Sequence, residues 1–298
     1  MNKLIDFVKM VPEPYDDELW YSVLSRYHKM SGNVLERETY RDICPSLFRV
    51  ESKLPILTMN KSSIEMLGNK QNKIWDVYVN HTLEPYWQRF NPVIRKQLAY
   101  NFAIGNEKST TKRVRHITNQ VAMLRYCPLC VNAERKNYGE TYWHRTHQIP
   151  PLTFCPKHKC RLLDSKINNY GFSREFMPSN IDNCPDVKPQ YDISELEYEI
   201  GAYACQTLKA PYSIETEPKR EWIRNAIAGY NVRRSSYLWR LNVKKVTEKV
   251  EINYGKLLDV TNFENEVYAL LEKKNNLVQT ETYLVLADFF KKDISSFL

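Results

Sequence analysis

The sequence predicts a mainly α-helical protein with a small inserted module, which carries a little β-structure at its Cys/His knuckles. Three observations predict it. Apolar residues recur at helical spacing through most of the chain. Two ligand pairs, Cys127/Cys130 and Cys155/His158, interrupt that pattern. A basic stretch follows with the pattern of a helix-turn-helix. On this reading residues 1–120 form an N-terminal helical region and 121–163 a zinc-binding module. Residues 164–190 form a proline-punctuated connection, and 191–298 a C-terminal helical region with a helix-turn-helix-like segment at 219–250.

Residues 1–11 read as a partly tethered arm. A first helix is expected over 16–31, capped by Asp16, with Asp17 and Glu18 at its positive start and Gly32 at its end. Leu19, Val23, Leu24 and Tyr27 are its inward stripe, and Trp20, Tyr21 and His28 read as packing residues. Helices are expected over 35–43 and 73–79. His81 then reads as a histidine bonded to backbone within a turn. Asn91 and Pro92 pair as N-cap and first helical residue of a helix reaching 104. Residues 106–120 form an exposed loop, whose Lys112, Arg113 and Arg115 are secondary candidates for phosphate contact.

In the module, residues 121–126 are expected to be extended and 140–147 to form a short helix. Cys127-x2-Cys130 and Cys155-x2-His158 are separated by 24 residues. Zinc takes four tetrahedral ligands, commonly two pairs from separate knuckles, so these four are assigned to one structural zinc ion. Pro128 and Pro156 bias each knuckle towards a tight turn. Four protein ligands leave no open position for water, which argues against a catalytic zinc. His144 and His147 are alternative ligands outside the paired knuckles. Cys160 and Cys184 raise a second metal site, although no ligand pair lies between them. With Cys44 and Cys205, these two are expected to be reduced thiols.

A helix is expected over 193–208, with Leu196, Ile200, Tyr203 and Ala204 on one face. Beyond Pro211 and Pro218, a short helix places Trp222, Ile223, Ala226 and Ile227 inward. A Gly-led turn follows, then a basic helix with Leu238, Leu241 and Val246 facing the core. Arg240, Lys244 and Lys245 face outward on that phasing. The tail from 252 reads as further helices with apolar stripes.

Composition limits the function classes. The 298 residues carry 43 Lys and Arg against 35 Asp and Glu, a net charge of +8. Between 219 and 249 nine basic residues face only Glu221 and Glu248, a net of +7 that accounts for nearly the whole excess. Charge concentrated in this way suggests a surface for phosphates, with Arg233, Arg234, Arg240, Lys244 and Lys245 as the DNA-binding candidates. No membrane span and no secretory leader are read, so the expected location is the cytoplasm, at the nucleoid. The His-x-Glu signature of zinc deaminases is missing, and no clustered carboxylates suggest a two-metal nuclease. No catalytic residue is assigned and the protein is read as a non-enzyme.

The longer phrasing between and around the knuckles carries more than their spacing. Arg125-Tyr126-Cys127-Pro128, Tyr138-Gly139-Glu140, Tyr142-Trp143-His144-Arg145-Thr146-His147-Gln148 and Cys155-Pro156-Lys157-His158 resemble the TniQ/TnsD family of transposon target-selection proteins. VPEPYDDELWYSVLSRYHKMSGN and NHTLEPYWQRF match the same family, and the C-terminal helices are similar to it. The resemblance implies a target-site selector that binds double-stranded DNA, or a DNA-bound targeting complex, and recruits an AAA+ ATPase resembling TnsC. It also implies two statuses for this chain: a short TniQ-type member, or the N-terminal portion of a longer TnsD-type one. The alternative is a protein adaptor that links a guide-RNA nucleoprotein complex, such as a CRISPR effector, to the transposition machinery without reading DNA.

Overall fold

In the computed structural model the described residues are 11–43, 71–92, 96, 120–169, 175–213, 221–230, 238–272 and 278–297. Among them the protein is mainly helical, with one two-stranded antiparallel sheet. No helix among the described residues is long and apolar enough to cross a membrane. One contiguous cluster of buried side chains runs from Leu19 to Ile294.

Helix α1, Trp20–Ser31, starts four residues later than its acidic lead suggests, with Leu19 as an uncapped N-cap. Asp17 and Glu18 are drawn into tertiary contacts instead of serving the helix start. Glu18 is fully buried and bonds Arg26 at 2.8 Å and the Ser22 hydroxyl at 2.8 Å. Gly32 ends the helix at φ 73°, a left-handed conformation that costs glycine little. Helix α2, Glu36–Ile43, is tied back to α1 by Thr39 to His28 at 2.6 Å and by the Tyr27 hydroxyl to Asp42 at 3.1 Å.

Helix α3, Gln71–Asn80, leads into the short buried helix α4, Glu84–Trp87. The turn between them is held by His81. Its Nδ1 lies 2.7 Å from the Glu18 carbonyl, and its own carbonyl accepts the Trp20 amide at 2.7 Å. The histidine is thus bonded to backbone, although to backbone 63 residues away. Asn91 is a tertiary clamp, exchanging hydrogen bonds with the Val278 backbone at 2.9 and 3.2 Å. The helix expected to follow it lies mostly outside the described residues.

Strand β1, Met123–Tyr126, pairs with β2, Leu163–Asn168, with Arg125 opposite Asp164 and Tyr126 opposite Leu163. Strand β2 therefore begins at the end of the expected module and runs into the stretch read as a connection. Its buried row contains Ser165 as well as Ile167, so the alternation that marks a strand is muted in the sequence. Between the strands lie helix α5, Pro128–Tyr138, and a 3-10 turn at Thr146–Gln148. The short helix expected at 140–147 is reduced to that turn.

Helix α6, Glu195–Lys209, opens with a full capping box from Ser194 and Glu197. Gly201 lets it approach the module closely: a Cβ there would sit 2.6 Å from the Phe154 ring. At its far end the Arg89 guanidinium donates to the carbonyls of Thr207, Ala210 and Pro211, groups that a helix C-terminus leaves without partners. Cys205 lies on the partly buried side of α6, and burial pushes its thiol up to about 12. It should react slowly with a thiol reagent in the native state, measured against the urea-unfolded chain. Equal rates in the two states would refute its placement. Cys44 lies outside the described residues.

Helices α7, Glu221–Gly229, and α8, Leu238–Tyr254, form the basic pair. Ile223 and Ile227 of α7 are buried as expected. The phase of α8 differs by about one residue from its apolar pattern. Val243, Val246 and Val250 are buried together with Asn242, whereas Leu241 is 43% exposed. The cause is specific: the Asn242 amide donates to the Ile227 carbonyl at 3.0 Å, serving a backbone group near the end of α7. Helices α9, Phe263–Leu271, and α10, Thr280–Phe289, complete the core. Helix α10 also meets the N-terminal elements, through the Tyr86 hydroxyl to Glu281 at 3.0 Å and the stacked Phe90 and Tyr283 rings.

Candidate metal centre

The first knuckle is built by the start of α5. Cys127 is the N-cap, in an extended conformation, and Pro128 takes the first helical position, where a missing N–H costs nothing. The Cys130 amide donates to the Cys127 sulfur at 3.5 Å, so the two sulfurs of the pair turn towards one point. The helix N-terminus also favours thiolate over thiol. Gly139, at φ 75°, ends α5 and releases the chain towards Trp143.

The second knuckle is a tight turn. The Cys155 amide donates to the Cys160 carbonyl at 2.7 Å, and the Lys159 amide to the Cys155 carbonyl at 2.8 Å. Lys159 takes a left-handed φ of 55° to close it. The ligand atoms of Cys127, Cys130, Cys155 and His158 all lie within 4.8 Å of one another. Nδ1 of His158 is 3.4, 3.3 and 3.7 Å from the sulfurs of Cys127, Cys130 and Cys155, and the Cys130 and Cys155 sulfurs are 3.7 Å apart. Metal–sulfur and metal–nitrogen lengths of about 2.3 and 2.0 Å give tetrahedral edges of about 3.8 Å for S–S and 3.5 Å for S–N. The four donors therefore fit one tetrahedral ion of the zinc class. The three cysteines are buried and His158 is half-buried, as a closed structural site requires.

Packed so closely, the thiols cannot all ionise without a cation. Hydrogen bonds from Cys127 and Cys130 hold the Cys155 thiol far below its ordinary range. Cys130 is pushed up by its bonds to Cys127 and Cys155. A divalent cation held there would relieve that conflict by taking all three as thiolates.

The ligands are held from outside by the segment after α5. His144 Nε2 is 2.5 Å from a Glu134 oxygen, and its Nδ1 is 3.7 Å from Asp17. Burial opposes charge on this ring, but the two carboxylates outweigh it and push it up to about 9. Cys130, Glu134 and His144 also lie within ligand distance of one another, but Glu134 and His144 already bond each other and form an ion pair beside the centre. His147 is buried against Cys155. Neither histidine belongs to the four-donor set.

Asp17 joins this module to the N-terminal helices. Its backbone, at φ 56°, is left-handed, a conformation aspartate tolerates better than most residues. Its carboxylate accepts from the Arg145 Nε at 3.3 Å and the Thr146 amide at 3.0 Å, and its carbonyl accepts the Arg145 amide at 2.8 Å. Arg145 also donates to the carbonyls of Val79 and Thr82. A β-bridge between Glu18 and His144, and the Leu19 amide on the Trp143 carbonyl at 2.8 Å, complete the seam. Burial alone would raise the Asp17 carboxyl, but His144 and Arg145 hold it well below the usual range. Burial pulls Arg145 down more than Asp17 restores it. The pair is thus uneven, favouring charge on the acid more than on the base. Nothing in the local sequence around Asp17 signals this role, since its partners are more than 120 residues away.

Two remaining cysteines separate. Cys160 places its sulfur 3.4 Å from that of Cys127. Cys184 instead accepts from the Ser179 hydroxyl at 3.5 Å, and burial pushes its thiol up to about 12. Among the described residues, no set of three potential ligands includes Cys184. Of the basic candidates, Arg240, Lys244 and Lys245 are all exposed on α8. Arg233 and Arg234 lie outside the described residues, as do Lys112, Arg113 and Arg115.

The TniQ family model matches residues 9–162, just over half of the 298 residues. The match runs from the approach to α1 through both knuckles. The chain is also 24% identical over 227 residues to the Transposon Tn7 transposition protein TnsD of Escherichia coli. That alignment covers 70% of this chain and 42% of the relative's length.

Proposed function

Since the chain belongs to the TniQ family, we propose that it acts in target-site selection for DNA transposition. In this reading it binds target DNA, or a DNA-bound targeting complex, and recruits an AAA+ ATPase regulator of the transposase. The likeness to a Tn7 transposition protein supports it. The protein has no reaction of its own in this scheme. Cys127, Cys130, Cys155 and His158 hold one zinc ion whose part is structural. It cross-links the start of α5 to the second knuckle and so stabilises the seam onto which α1 docks.

One observation carries the DNA-binding part. Arg240, Lys244 and Lys245 stand exposed on α8, outside the buried row of Val243, Val246 and Val250. A spacing of four stacks Arg240 and Lys244 on one face, while Lys245 stands about 100° round the helix from Lys244. Long cations on a helix held rigidly by its apolar side suit phosphate contact, and Arg240 suits a base edge. With Arg233 and Arg234 these make the segment 219–250 the proposed duplex-facing part.

Salt-titrated binding to a duplex tests this directly. Each neutralised phosphate contributes about −0.9 to the slope of log K against log salt, so Lys244→Ala with Lys245→Ala should flatten the slope by about 1.8. Replacing Arg240 should cost about 1–3 kcal/mol on a preferred sequence if it reads a base. Identical slopes for wild type and the double variant would remove α8 from the interface.

A second reading has an observation of its own. Leu241 is 43% exposed and stands one turn from Lys244 and Lys245. An apolar side chain among cations suits a protein surface, which favours an adaptor joining a guide-RNA nucleoprotein complex to the ATPase. In that case Leu241→Glu should abolish recruitment while duplex binding stays weak in every variant.

A further inference from the structure

A fifth donor stands at the metal centre. Cys160 is fully buried, and its sulfur lies 3.4 Å from that of Cys127. It is not a corner of the tetrahedron, because the four mutually close ligand atoms belong to the other residues. The second knuckle puts it there: the left-handed Lys159 and the Cys155 amide on the Cys160 carbonyl return the chain beneath Cys127. The backbone donor to Cys127, the Cys130 amide, reaches it only at 3.5 Å.

Three thiolates and one neutral imidazole around a divalent cation leave a single net negative charge in the interior. Buried charge of that kind needs hydrogen-bond donors. A metal-bound Cys127 has released its proton, so the proton in the Cys127–Cys160 contact resides on Cys160. We propose that Cys160 is a positioning residue of the centre: its S–H donates to the Cys127 thiolate, orients it and draws off part of its charge. The inference rests on the four-ligand reading of the centre given above.

The test uses the full chain loaded with Co(II), comparing wild type with Cys160→Ala, Cys160→Val and Cys160→Ser. Metal per chain, affinity by chelator competition and the thiolate-to-cobalt charge-transfer band are measured. The two variants without a donor should keep one metal per chain and the full band intensity. They should bind about 10–100-fold less tightly, with the band moved to lower energy. Cys160→Val fills the volume that Cys160→Ala empties, so agreement between them separates a lost donor from a lost contact. Cys160→Ser, which keeps a donor, should recover most of the affinity. Unchanged affinity in Ala and Val, or a Ser variant no better than Ala, overturns the proposal. Lost band intensity in Ala also overturns it, by making Cys160 a ligand. A wild-type chain that takes up no cobalt overturns the metal-centre reading itself.

Discussion

Cys155→Ser should purify with little metal and in low soluble yield, whereas wild type should carry about one zinc per chain. Cys155 is 1% exposed and contributes both a ligand and the turn that presents His158. A serine hydroxyl is a poor zinc ligand, so the variant offers only Cys127, Cys130 and His158, three good donors where a closed tetrahedral site needs four. Structural zinc contributes apparent binding energies of about 10–16 kcal/mol in small modules, against total stabilities of about 5–15 kcal/mol for whole domains. Even a fraction of that is decisive here, because α1 docks on the module through the Trp143 carbonyl and the Asp17 contacts. Wild type stripped by a chelator should lose cooperative unfolding in the same way, followed by circular dichroism against temperature. A cooperative, fully folded wild type without metal would sink the assignment.

The second large effect is expected at Arg145. Removing one member of a buried ion pair costs about 3–5 kcal/mol, because its partner keeps its charge without compensation. Arg145→Met should fall towards the lower end, since His144 and the Thr146 amide still face the Asp17 carboxylate and its side chain is 23% exposed. The loss also frees the carbonyls of Val79 and Thr82. The pH dependence has a definite sign. The Asp17 carboxyl is held below its unfolded value, so its contribution is complete above an ordinary carboxylate pKa of about 3.9. It is lost only as pH falls through the lower folded value. The stability gap between wild type and Asp17→Asn, from urea melts, should therefore be at its full value near pH 5 and narrow below about pH 4. An Arg145→Met protein within about 0.5 kcal/mol of wild type at pH 7 would show that the seam is held by its backbone bonds alone.

Several features were legible because their causes lie within a few residues of one another. The Cys-x2-Cys and Cys-x2-His pairs announce a metal centre by spacing alone, and the structure brings those four donors together. Ser194 and Glu197 start α6 by a box that spans three residues, and Gly32 ends α1 by its own backbone freedom. The phrasing around the knuckles carried the family, which the match over residues 9–162 shows.

Other features could not be read in that way. Asp17 and Glu18 look like helix-start acids, yet packing directs them to Arg145 and Arg26. Leu241 looks like a core residue of α8, yet Asn242 takes the inward place beside Val243 and Val246, where its amide donates to the Ile227 carbonyl. Cys160 looks like a spare thiol, yet the turn of the second knuckle sets it against Cys127. Each of these outcomes is a choice between two locally acceptable arrangements, and a buried polar group elsewhere in the chain decides it. Capping, periodicity and ligand spacing act over one or two turns, so the sequence by itself determines them. Which acid caps and which braces, which face of a helix turns inward, and which thiol joins the centre depend on partners 8 to 129 residues away. Only the folded chain brings those partners within hydrogen-bond reach, where leaving a buried group unpaired costs more than giving up a local preference.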